Sequence, residues 1–177
     1  HNALFATTIL SPIGYQTDFE DEEERKEWIL NPSAPGYECA NQWYWGKLGA
    51  NVGDYGLFVS GDNGSTNFYQ PKGTSVLAYR KFTFVKGDYE ISFDWQAGGL
   101  STDGFYVCWV PEGVDINTSL NGEPSVLKYY KLKFNNVELL QGEKSWKTSV
   151  VTIDQSVAAA NKLVFVWVNN GTVKAND

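Results

Sequence analysis

A chain of 177 residues has the size of one domain and is long enough to bury a core without metal or disulfide support. Fourteen basic residues against 21 acidic ones leave a net charge of −7 and a pI near 4.7. Such a surface repels phosphate backbones, so nucleic acid is not an expected partner. No apolar run approaches the roughly 18–20 residues of a membrane-spanning helix; residues 163–168 form a run of six.

Seven Trp, ten Tyr, ten Phe and 17 Gly point to aromatic-rich strands punctuated by turns, the composition of an all-β sandwich. Residues 4–10 and 15–19 read as opening strands. Residues 18–27 hold seven acids, and 22–30 form the best helix candidate, with acids in the first turn and Pro32 just beyond the end. The acid run reads as a solvated face rather than a metal cluster. Residues 31–54 are loop-rich apart from Trp43-Tyr44-Trp45; residues 55–60 read as a strand and 61–65 as a turn. Three long strands follow in succession over 76–111. In the middle one, Tyr89, Ile91, Phe93 and Trp95 alternate with Glu90, Ser92, Asp94 and Gln96, the period of a strand with one dry and one wet face. Phe82, Phe84, Tyr89, Ile91, Phe93 and Trp95 are expected to face inward. After a polar loop over 112–124, strands are expected near 127–134 and 149–153. Residues 163–169 are apolar on both faces, as in a central strand. With no repeat and no linker, the chain reads as one module over 1–177.

The chain starts at His1 and contains no Met, which suggests a piece processed or excised from a secreted or larger extracellular protein. Cys39 and Cys108 can pair in an oxidising compartment, or Cys108, within a strand, can act as a small apolar residue. The triplets beginning at Asn63, Asn117 and Asn170 fit glycosylation acceptors in a eukaryotic secretory route, and equally plain turn chemistry.

Asp18-Phe19-Glu20, Trp28, Trp43 and the segment GLFVSGDNG over 56–64 resemble the opening of MAM-type adhesion domains. They resemble equally the cleaved-adhesin modules on surface proteins of anaerobic bacteria. The stretches 78–95, 103–111, 146–153 and 162–170 continue in the same order, so the resemblance spans about four fifths of the chain, consistent with one domain. It implies a two-sheet antiparallel jelly-roll of the concanavalin or MAM kind that mediates adhesion or carbohydrate and protein binding beside neighbouring domains of a parent protein. Such modules end in a strand carrying an Ile-Asp-Asn-like triplet, which this sequence lacks before Asp177; either that strand lies elsewhere or residues 4–10 take its slot. The resemblance also implies calcium, with Glu20 matching the family's acid after the opening Phe and Asp103 entering a strand. Hard loop oxygens suit that ion, although the missing triplet removes one ligand.

Among catalytic constellations, the lone His at the terminus leaves no room for nucleophile–histidine or His-rich zinc chemistry. Paired carboxylates remain. Glu90 and Asp94 share the wet face of one strand, but four residues place their Cα atoms about 13 Å apart. Glycoside hydrolysis wants carboxyls about 5–5.5 Å apart for retention and about 6.5–9.5 Å for inversion. Sugar binding needs flat rings beside polar groups. Glu90, Asp94 and Gln96, with Tyr106 expected on the adjacent strand and Tyr44 and Tyr69 on loops, are the candidate ligand contacts. The expected role is therefore non-catalytic adhesion or carbohydrate binding at an extracellular surface. The alternatives are a jelly-roll glycoside hydrolase using Glu90 or Asp94, and a structural spacer.

Overall fold

The computed structural model describes residues 3–10, 15–33, 38–99, 102–117 and 123–171. In chain order the strands are β1 (Ala3–Leu10), β2 (Tyr15–Gln16), β3 (Trp28–Leu30), β4 (Gln42–Gly46), β5 (Gly56–Ser60), β6 (Thr74–Phe84), β7 (Gly87–Ala97), β8 (Gly104–Pro111), β9 (Glu143–Gln155) and β10 (Ala159–Asn169). Among the described residues, helical structure is limited to α1 (Glu22–Lys26) and two short 3-10 turns, Lys47–Gly49 and Ser125–Tyr129. Among the described residues no helix is long and apolar enough to cross a membrane.

The strands form two antiparallel sheets. Sheet A runs β4-β5-β1-β7-β9, with β2 beside β1, and sheet B runs β3-β6-β10-β8. From β6 to β10 the chain alternates between the sheets, strand by strand. The alternation in β7 explains why: Tyr89, Ile91, Phe93, Trp95 and Ala97 are buried, with a half-exposed residue between each. They meet Phe82, Phe84, Phe105, Val107, Leu163, Phe165 and Trp167 of sheet B in one core, as expected for the six inward residues named above. β10 is a central strand and buries both faces. Leu163, Phe165 and Trp167 enter the main core, and Val164 and Val166 join Leu77, Tyr106, Cys108 and Val110 in a second cluster, closed over by Ile116 and Leu127.

Four expectations need correction. The helix stops at Lys26, because Trp28 is needed in the core: it lies 5.7 Å from Phe19 and stacks 5.8 Å from Phe165, while β3 pairs with β6. Burial of that ring outweighs the helical preference of the preceding acids. The strand expected over 15–19 ends at Gln16, where the Thr17 hydroxyl accepts the Phe19 N–H (2.9 Å) and Phe19 turns to φ 67°. The strand expected over 127–134 is instead a 3-10 turn plus single bridges at Lys131 and Phe134, since Leu127 is drawn into the second cluster. Tyr44, expected on a loop, lies in β4 between Trp43 and Trp45, at an edge of sheet A.

Both cysteines are free. Burial pushes the Cys108 thiol up to about 12, as suits a small apolar core residue. A partly buried ion pair ties the N-terminal segment to sheet B. Arg80 donates to both Glu24 oxygens (2.7 and 3.0 Å), Tyr15 donates to the same carboxylate, and burial together with Glu24 raises the Tyr15 phenol.

Phe93 packs against Phe105, Phe134 and Phe165 at centroid separations of 6.2, 5.3 and 5.5 Å. Phe93→Ala is expected to cost about 3–5 kcal/mol and to lower Tm by at least about 6 °C in calorimetry. Val157→Ala, at an exposed position, should stay within about 0.5 kcal/mol of the parent.

Candidate functional site

The inner faces of the sheets are spent on the core, and the outer face of sheet B around β8 and β10 lies under the second cluster. The outer face of sheet A remains. Strand alternation sends Glu90, Ser92, Asp94 and Gln96 to it from β7, opposite Thr152, Val150 and Thr148 of β9 for the first three. Glu90, Asp94 and Gln96 therefore share one half-exposed row, as the sequence pattern indicates.

A cleft of about 260 Å³ opens on this face, lined by Gln16, Thr17, Asp18, Asn51, Tyr55 and Asp94 among others. Asp94 sits in its wall with both oxygens engaged: Asn51 Nδ2 donates to Oδ2 (3.1 Å) and the Thr148 hydroxyl donates to Oδ1 (2.5 Å). These contacts hold the carboxylate in one orientation as a fixed acceptor. Further along the row, Gln96 meets Trp146, and with its amide turned so that the oxygen faces that residue it accepts the Nε1–H and the backbone N–H, both at 3.2 Å. Trp146 enters the row where β9 bulges against Gln96.

The other wall is built from two loops clamped together. Glu20 Oε1 accepts the backbone N–H groups of Asp54 (2.7 Å) and Tyr55 (2.9 Å). The same carboxylate lies where a Cβ on Gly53 would stand, and Gly53 is at φ 78°, a conformation open to glycine. The Arg25 guanidinium stacks 3.6 Å over the Tyr55 ring and donates to the carbonyls of Phe19 (2.6 Å) and Glu20 (2.9 Å). Beside the cleft, sharing Gln16, Thr17 and Asp18, lies a wider acidic groove of about 530 Å³ that also reaches Tyr15, Asp21 and Glu24.

The remaining candidates fall elsewhere. Tyr106 is not beside Asp94: β8 belongs to sheet B, where Tyr106 is buried, donates to Glu123 and lies beneath Lys131 (4.1 Å). The strand after β7 crosses to the opposite sheet, so succession in sequence misled the expectation of adjacency. Tyr69 is half-buried against Trp167 (4.8 Å) and donates to Asp103 Oδ2 (2.7 Å). Tyr44 is on the open face of β4, packed 6.0 Å from Phe58 with Gly64 against its ring.

The two proposed calcium ligands are each engaged within the protein and share no partner. Glu20 clamps the 54–55 amides, while buried Asp103 accepts from Tyr69, Thr102 and the backbone N–H of Asn170. Among the described residues no three His, Cys, Asp or Glu side chains gather as a cation site. Glu20 and Asp103 therefore do not fit a joint calcium centre.

Sequence reasoning missed Asn51, Thr148, Trp146 and Tyr55. Parity could have given Thr148, because it follows once β9 is laid beside β7; the two loop residues carry no periodic signal. Glu20→Ala is expected to leave the fold intact and to release the 54–55 amides. Their hydrogen exchange should accelerate about fivefold, the loss of about 1 kcal/mol for an exposed charge-assisted pair. Unchanged exchange there would refute the clamp. Comparison with family models, curated proteins and solved structures finds no match to this chain.

Proposed function

We propose that this protein is a non-catalytic binding module of jelly-roll topology, acting at an extracellular surface on a glycan or glycan-bearing protein through the outer face of sheet A. The observation that carries the reading is Asp94 held as a fixed acceptor in the cleft wall by Asn51 and Thr148. Oriented carboxylates and amides next to an aromatic ring are what hydroxyl-rich ligands require, and Tyr55, Asn51 and Asp18 line the same cleft. The strand-by-strand alternation between sheets supports the jelly-roll topology. β1, lying between β5 and β7, supports the view that residues 4–10 fill the slot of the closing strand in MAM-like and cleaved-adhesin modules. Calcium has no assigned part in this reading.

One observation favours hydrolysis as a second reading: Asp18 joins Asp94 in the cleft, on a separate element, as a pair of catalytic carboxylates would. Glu90 and Asp94, side by side along one strand, do not offer that arrangement. A spacer role is the reading left if nothing binds.

A glycan array followed by calorimetry tests the proposal. A shallow cleft buries little of its ligand, so affinity for one short glycan should be weak. Asp94→Ala and Asn51→Ala should each weaken it about tenfold or more, the worth of a hydrogen bond to a charged group. Release of reducing ends from a polysaccharide panel, abolished by Asp94→Ala or Asp18→Ala, would overturn binding in favour of hydrolysis.

A further inference from the structure

The two sheets end in four edges, of which two are covered and a third is short. At the β4 edge the Asn31 side chain occupies the backbone of Trp43, accepting its N–H (2.6 Å) and donating to its carbonyl (3.0 Å), as a neighbouring strand would. At the β8 edge the irregular segment 130–140 supplies the pairing: Phe105 exchanges two backbone bonds with Leu140 (3.1 and 2.8 Å). Trp109 N–H reaches the Tyr130 carbonyl (3.0 Å), and Leu132 N–H reaches Val107 (2.8 Å). β3 is only three residues long. The fourth edge is β9, 13 residues from Glu143 to Gln155 and the longest strand. Among the described residues no backbone group pairs with it on the side away from β7.

An unpaired edge of this length is a template for another strand, and β9 is complementary to itself. Antiparallel pairing of the strand with a second copy, continued on the free edge past the bulge that β9 makes against β7 at 144–146, sets Ser149 opposite Ser149 and matches residues whose numbers are equally far from it. In that register Lys144 faces Asp154, twice per pair of chains. Trp146 faces Thr152, Thr148 faces Val150, and no like charges meet. Residues 144, 147, 148, 150, 152 and 154 are all exposed in the single chain, Val150 at 48 %. Lysine on a free edge ordinarily deters pairing; the two-fold register turns Lys144 into half of an ion pair.

We propose that this protein forms a two-fold dimer through antiparallel β9–β9 pairing, with Lys144 of each copy on Asp154 of the other. The dimer joins the two A sheets into one continuous sheet. It closes after two copies, because the contact is isologous and uses the β9 edge of both. It also sets two Asp94 clefts on one side of that sheet. This last consequence rests on the functional reading above, and there two weak sites act together on a multivalent ligand.

Sedimentation equilibrium of the full chain over a micromolar to millimolar range tests the dimer without any ligand, so its outcome is separate from that of the glycan experiment. The expected result is a reversible monomer–dimer equilibrium, weak because the contact is one strand wide. Lys144→Glu and Asp154→Lys should each weaken it about tenfold by replacing two opposite-charge pairs with like charges. The double variant Lys144→Asp/Asp154→Lys should restore the parent affinity, and Lys128→Glu, a charge change away from the strand, should leave it unaltered. A chain that stays monomeric throughout would overturn the proposal. So would a dimer that the two single reversals affect no more than Lys128→Glu does, or one that the double variant fails to restore.

Discussion

The architecture depends on one layer of aromatic rings between the sheets. Phe93 meets Phe165 and Phe105, Trp95 meets Phe105 edge-on (5.4 Å), and Phe84 meets Tyr89 (4.7 Å) and Trp109 (4.9 Å). Edge-to-face contacts of this kind bury large apolar area and favour particular ring angles, so they fix which face of each strand turns inward. Every other surface is what that layer leaves over.

It leaves two outer faces and four edges, and the chain uses three of these structurally. The back of sheet B receives Ile116 and Leu127 over Tyr106, Cys108, Val164 and Val166. The β8 edge is sealed by residues 130–140, and the β4 edge by Asn31. What stays accessible is the outer face of sheet A together with its β9 edge. Polar side chains on that face are oriented by each other: Asn51 and Thr148 hold Asp94, and Trp146 meets Gln96. The loop walls are held in the same manner, by Glu20 on two amides and Arg25 on Tyr55. Pre-oriented polar groups lose less freedom when they meet a ligand, which is why this face and no other is assigned the function.

Much of this was legible in the residues. Period-two alternation in β7 and two-sided apolarity in β10 are direct consequences of burial, so the all-β class, the six inward side chains and the wet row Glu90-Asp94-Gln96 could be read from sequence. Three features could not. The end of α1 depends on where Trp28 finds its core, a tertiary matter that local propensity does not encode. The sheet membership of β8 depends on whether Gly98–Asp103 returns alongside β7 or crosses over, and turn residues are the same in both cases; Tyr106 was misplaced for that reason. The cleft residues Asn51 and Tyr55 come from a loop positioned by a carboxylate 34 residues away in sequence from its first amide, a contact without any periodic trace. The acids Glu20 and Asp103 looked alike as loop oxygens, yet one clamps amides and the other is buried against Tyr69.

The central claim is that the outer face of sheet A is open while the back of sheet B behind β8 and β10 is closed, and hydroxyl-radical footprinting of the dilute protein measures it side chain by side chain. Tyr44, Trp146 and Val150 on sheet A are expected to be oxidised readily, while Tyr106, Val164 and Val166 behind sheet B stay protected until the protein unfolds. Equal oxidation of Tyr106 and Tyr44 in the folded protein would contradict the account, because the back of sheet B would then be an open face as well.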